Sequence, residues 1–126
     1  MVLASGCFDG LHSGHVAYLT AAAALCRPDE PLVVAVESDA EIRRAKQREP
    51  RWSGAQRRRT LSALRGVDDV RPAGALHAIQ TWQPRLFVKG VDWAGKLSEE
   101  IRQACAACGC AIVYVDTDET HTSERL

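Results

Sequence analysis

The chain has 126 residues, 46% of them hydrophobic and 25% charged, and its 16 basic and 16 acidic side chains cancel. That length fits one domain and hardly two. The balance excludes a disordered, collagen-like or coiled-coil protein, and one that binds nucleic acid through net charge alone. A domain of this size buries roughly two thirds of its unfolded surface, enough for a core without disulfides or metal.

No apolar run approaches the length of a membrane span; the longest, residues 21–26, is short and alanine-rich. Met1 leads directly into what reads as a core strand rather than a signal peptide, so a cytoplasmic location is expected, with no membrane contact. The five cysteines, an odd number, argue against a disulfide framework.

In chain order, residues 2–4 form a short apolar strand. Residues 15–26 carry Val16, Leu19, Ala22, Ala23 and Cys26 at helical spacing. Leu32–Val36 is a β-branched run without polar alternation, which suits a strand buried on both faces of a parallel sheet. A helix is expected over residues 55–64, with Gly66 as its C′ glycine. Val70 marks a short strand, Ala75–Trp82 a helix and residues 85–89 a strand. Ser98 caps a helix running to Cys108, with Gly109 just past its end. Ala111–Val115 is the last strand, and residues 122–126 read as a final helical turn or as the start of a helix. Strands alternating with helices predict a single α/β domain over residues 1–126. Its expected form is a Rossmann-like, doubly wound, five-stranded parallel sheet with helices on both faces. Ligands then sit at the carboxyl ends of the strands, on the loops after Ser5, Val36, Lys89 and Val115.

The first of those loops is Gly6-Cys7-Phe8-Asp9-Gly10-Leu11-His12-Ser13-Gly14-His15. Its glycines let backbone approach a ligand closely, and the amides opening the next helix favour a phosphate. His12 and His15 are three apart, so both can lie on one side of that helix start. There they can donate hydrogen bonds to phosphoryl oxygens and stabilise developing charge without a covalent intermediate. Loop histidines without a role, or a metal-binding pair, are the plainer alternatives.

Gly6-Cys7-Phe8-Asp9 followed by His12-Ser13-Gly14-His15 resembles the HxGH signature of the cytidylyltransferase-like nucleotidyltransferases, and the resemblance covers essentially the whole chain. It implies transfer of a nucleotidyl group from ATP or CTP to a phosphorylated small molecule, with Mg²⁺ and release of pyrophosphate. The substrate phosphate attacks the α-phosphorus directly. The resemblance also implies that His12 and His15 contact the triphosphate, that the backbone of Cys7, Phe8, Asp9 and Gly14 lines the phosphate pocket, and that the protein is a homodimer. No protein ligand to a metal is expected.

Residues 41–59 hold eight basic side chains, Arg43, Arg44, Lys46, Arg48, Arg51, Arg57, Arg58 and Arg59, against only Glu41 and Glu49. In a chain of zero net charge, this excess offers a local field for a triphosphate and a phosphorylated acceptor. A solvated arginine-rich surface accounts for about half of the run. Nucleic-acid binding fits less well, because only Trp52 interleaves the charges. By resemblance, Lys46 occupies the position of a mobile lysine that reaches the phosphates, although no glycine follows it. Gln56-Arg57 matches a pair opening the next helix, which makes Arg57 a candidate phosphate contact.

Lys89-Gly90-Val91-Asp92-Trp93 follows the fourth strand. Gly90 lets a base or ribose approach, Asp92 can accept hydrogen bonds from ribose hydroxyls, and Trp93 offers a flat apolar face. A turn with a core tryptophan explains the same residues. The resemblance places the segment in the nucleotide pocket. It also matches Thr122 and Ser123 to a hydroxyl-rich helix start that holds phosphate, with Glu124 as a departure. Cys105, Cys108 and Cys110 have a suggestive metal spacing but no nearby histidine, and read as small buried hydrophobes.

Two branches of the family compete. Gly-Cys-Phe-Asp, Val-Ala-Val-Glu-Ser-Asp-Ala and Val-Lys-Gly resemble the heptose-1-phosphate adenylyltransferases. Asp92-Trp93-Ala94-Gly95-Lys96 is more similar to the glycerol-3-phosphate cytidylyltransferases. A nucleotide-binding protein without turnover is a further alternative.

Overall fold

The computed structural model describes residues 1–117. Five strands, β1 (Val2–Gly6), β2 (Leu32–Val36), β3 (Asp69–Pro72), β4 (Leu86–Gly90) and β5 (Ala111–Val115), alternate with helices α1 (Ser13–Ala24), α2 (Asp39–Lys46), α3 (Gly54–Ser62), α4 (Ala75–Trp82) and α5 (Glu99–Cys108). All strand pairs are parallel and the order is β3-β2-β1-β4-β5. The chain winds outward from β1 to β3, then returns to the other side of β1. The fold is therefore the expected doubly wound Rossmann-like sheet, and its switch point lies between β1 and β4.

The period-2 alternation of each strand divides the core. Val2, Ala4, Leu32, Val34, Val36 and Val88 face α1 and α3, where Leu19, Ala22 and Leu61 cover them. Leu3, Ala35 and Phe87 face α4 and α5, against Ala78, Ile79 and Cys105. At roughly 25 cal/mol per Å² of buried apolar surface, these two layers supply most of the drive to fold. Cys105 and Cys110 belong to the second layer, and burial pushes the Cys110 thiol up to about 12. Among the described residues no group of three or more His, Cys, Asp or Glu side chains is placed to hold a metal ion, and no helix is long and apolar enough to cross a membrane.

Three local features differ from expectation. α1 begins at Ser13, ahead of the apolar periodicity, because His12 caps it. α2 is a whole helix that the apolar pattern does not announce: it buries only Ile42 and is started by the Ser38 hydroxyl accepting from the Glu41 N–H at 3.1 Å. Gly66 is not the C′ residue of α3, which ends at Ser62. Its φ of +91° and the 3.0 Å that a Cβ would leave to Ala23 make it the point where the chain passes close to α1. At α5, by contrast, Ser98 caps and Gly109 terminates as the sequence predicts.

Candidate active site

The carboxyl ends of β1, β2 and β4 open into a cavity of about 680 Å³. Its lining gathers Cys7, Phe8, Asp9, His12, Gly14, His15, Lys46, Lys89, Gly90, Asp92 and Trp93, which lie far apart in the sequence. Arg57 is absent from that lining, and Thr122 and Ser123 lie outside the described residues.

The two histidines build their own geometry. The Gly14 N–H donates to Nδ1 of His12 at 3.0 Å, and the His12 N–H donates to Nδ1 of His15 at 3.2 Å. This reciprocal capping box satisfies two N–H groups that the first helical turn leaves unpaired. Because both Nδ1 atoms accept, the neutral rings carry their protons on Nε2. The rings stack at 3.9 Å with 27° between their planes, and Phe8 supports His15 at 5.3 Å. Burial, then the neighbouring His12 and Lys46, lower His15 to about 4, so it is a neutral donor at neutral pH.

Arg57, the candidate phosphate contact, is a buried side chain whose guanidinium is held by protein groups. Nη1 donates to the carbonyls of Cys7 (2.8 Å) and Glu37 (2.7 Å), Nε to the carbonyl of Trp52 (3.0 Å), and Nη2 to the Asp39 carboxylate (2.6 Å). One guanidinium thus joins the ends of β1 and β2 to α2 and to the approach to α3. Asp9 plays the same part from the other side. Its carboxylate accepts from the N–H groups of Arg51 and Trp52 and from Arg48, each at 2.9 Å. Burial alone would raise this carboxyl, but those hydrogen bonds outweigh it and hold Asp9 down at about 2. Of the eight bases in the run, Lys46 and Arg51 line the cavity. Arg43 and Arg44 pair with Glu49 and Glu41 on the surface.

At the switch point, the buried Tyr18 hydroxyl accepts from the Ser5 N–H at 3.1 Å and donates to the Val88 carbonyl, tying β1 to β4. Lys89 Nζ donates to the Ser5 carbonyl at 3.1 Å and lies 4.6 Å from the Trp93 ring centre and 5.9 Å from that of Tyr18. Burial lowers its pKa, while Glu37 and Asp92 act in the opposite sense. At Gly90 a Cβ would stand 2.6 Å from the Asp92 carboxylate, so a larger residue would displace that side chain. Trp93 is exposed rather than a core residue, so its face is open to a ligand. Sequence reasoning missed Tyr18 and Glu37, and counted Arg51 only within the arginine-rich run. Tyr18 hides in an apolar helical run, and only the strand order brings Glu37 beside Cys7.

This geometry can receive a polyanion at the histidines and a ring at Trp93. A family model described as cytidylyltransferase-like matches residues 3–125. The chain belongs to the cytidylyltransferase-like family of nucleotidyltransferases. Among curated relatives, it is 36% identical over 126 residues to the bifunctional protein HldE of Geotalea uraniireducens, covering 95% of this chain and 25% of that protein. It is 41% identical over 130 residues to the bifunctional protein HldE of Nitrosococcus oceani, covering 100% and 27%. The chain therefore spans about a quarter of the length of the curated relatives it matches. Among solved structures, the lipopolysaccharide core biosynthesis protein of Thermoplasma volcanium superposes with a TM-score of 0.75 at 25% identity, covering 92% of this chain and 95% of that one. A protein of unknown function from Archaeoglobus fulgidus shares the fold at 19% identity, with a TM-score of 0.69 over 91% of this chain and 88% of that one.

Proposed function

We propose that this family member transfers a nucleotidyl group from a nucleoside triphosphate to the phosphate of a small acceptor and releases pyrophosphate. The observation that carries this reading is the histidine pair, whose mutual capping leaves two stacked rings with Nε2–H donors at the cavity. An acceptor phosphate oxygen attacks the α-phosphorus, the bond to the bridging oxygen breaks, and the electron pair leaves with pyrophosphate. His12 and His15 donate to oxygens whose charge rises in that step, which needs no protein nucleophile. Lys46 adds a positive charge from α2. At the β4 end, Trp93 and Asp92 receive the nucleoside by stacking and by accepting ribose hydroxyls. The triphosphate would enter as its Mg²⁺ complex, the metal neutralising phosphate charge.

A sugar phosphate is the acceptor we favour. The relatives named HldE, and the likeness of the Gly-Cys-Phe-Asp and Val-Lys-Gly segments to heptose-1-phosphate adenylyltransferases, support it. The Asp92-Trp93-Ala94-Gly95-Lys96 segment favours a second reading, a glycerol-3-phosphate-type cytidylyltransferase. Pyrophosphate release with Mg²⁺, tested with ATP and CTP separately against sugar and polyol phosphates, decides between them. Release with one triphosphate and one acceptor is expected. Nucleotide binding without release from any acceptor would leave a non-catalytic binder, and no nucleotide binding would defeat the proposal.

A further inference from the structure

The phosphate side of the cavity holds an acid whose placement is over-determined. The Glu37 N–H donates to the Gly6 carbonyl at 3.0 Å, and its carbonyl accepts the same Arg57 nitrogen that holds the Cys7 carbonyl. Its Oε2 accepts the Cys7 thiol at 2.9 Å. Burial and Glu37 push that thiol up to about 11, so it stays a protonated donor, though a weak one. The other acids at this end of β1 and β2 are committed: Asp9 to Arg48 and two backbone N–H groups, Asp39 to Arg57. Glu37 is left facing a cavity that it shares with Lys46, Arg51 and Lys89.

A carboxylate repels a triphosphate and an acceptor phosphate alike, so it can favour binding only through a hydrogen-bond donor. On the transfer reading, that donor belongs to the acceptor. Trp93 and Asp92 take the β4 side of the switch point, the histidines take the centre, and the β2 side is left to the acceptor. We infer that Glu37 is a specificity-determining residue that accepts a hydrogen bond from a hydroxyl of the acceptor, selecting polyhydroxylated phosphates over alkyl phosphates. This rests on the transfer reading above.

The test is calorimetric binding of α-D-glucose 1-phosphate and of cyclohexyl phosphate, which keeps the ring and the phosphate and removes the hydroxyls. Both are titrated into the full chain, Glu37→Gln and Glu37→Ala, with thermal unfolding to verify that each variant folds. The parent is expected to prefer the sugar phosphate by roughly 10- to 100-fold, the range of one hydrogen bond to a charged group. Glu37→Ala should bind the two phosphates alike, and Glu37→Gln should fall between. ATP and CTP binding should be kept in both variants and tightened, because a charge that repels the triphosphate has been removed. A parent without preference, a Glu37→Ala protein that keeps it, or a variant that loses triphosphate binding instead would each overturn the inference. The transfer reading fails separately, by absence of pyrophosphate release from a parent that still shows the preference.

Discussion

The β1–α1 loop and the arginine-rich segment serve the same cavity by opposite means. In the loop, two histidines become useful because N–H groups at the helix start fix both rings through Nδ1. In the segment, half of the positive charge is spent within the protein: Arg48 on Asp9, Arg57 on Asp39 and three carbonyls, Arg43 and Arg44 on surface acids. Exposed pairs of the last kind contribute at most about 1 kcal/mol each. A local charge count therefore overstates what a ligand meets in the segment and understates it in a short hydrogen-bonded loop without Lys or Arg.

The largest effect should come from the fastener rather than from the catalytic loop. Arg57→Ala leaves the Asp39 carboxylate and three carbonyls without their donor, and should cost about 3–5 kcal/mol in urea unfolding. Arg57→Lys should recover little of it, because an ammonium cannot reproduce the fork. A loss below about 1 kcal/mol would return Arg57 to the solvated surface. Next, His15→Ala should lower turnover by ~10²–10³, as removal of one donor to developing charge does. His15→Gln sharpens the comparison. A glutamine at this position can still accept from the His12 N–H and keep the box. It should fold as the parent does without recovering turnover; full activity would reduce the ring to a cap.

The sequence made the sheet legible because buried parallel strands need continuous apolar runs and helix ends need particular residues. Leu32–Val36, Ser98 and Gly109 show this directly. The α2 helix was not legible, since a polar helix held by one cap and one buried isoleucine has no apolar stripe to read. At the site, Gly6 to His15 stood out because glycines and two histidines cluster within one loop. The partners of Arg57 and the placement of Glu37 were not legible for one reason: a side chain's partner depends on which strand ends are neighbours, and spacing along the chain does not encode that. The Arg57–Glu37 contact spans 20 residues and the Cys7–Glu37 contact spans 30.

Lys46→Ala should have a smaller effect than the histidine changes. The side chain is exposed at the end of α2, where solvent screens a single charge, so a loss of roughly tenfold in triphosphate-dependent turnover is expected. Arg51→Ala is the control from the same cavity wall. If it costs more than Lys46→Ala, the phosphate-reaching role belongs to the arginine. Neither substitution should change the unfolding midpoint, which separates them from Arg57→Ala.

The last effect is a pH dependence that the two regions should share in separate windows. His15 has its pKa lowered from 6.5 to about 4 in the folded protein, so between those values the unfolded chain binds the extra proton. Stability should fall as pH drops through that window, and protonated Nδ1 can no longer accept from the His12 N–H. Asp9 is lowered from 3.8 to about 2, so its contribution persists above 3.8 and disappears as pH falls toward 2. Urea midpoints for the parent should therefore decline from about pH 6.5 and decline further below about pH 4. His15→Gln should be flatter in the first window and unchanged in the second. Asp9→Asn should do the reverse, because its amide keeps an acceptor oxygen but no longer titrates. If both variants lose the same window, the cap and the tether are one coupled unit, and the division between loop and segment does not hold.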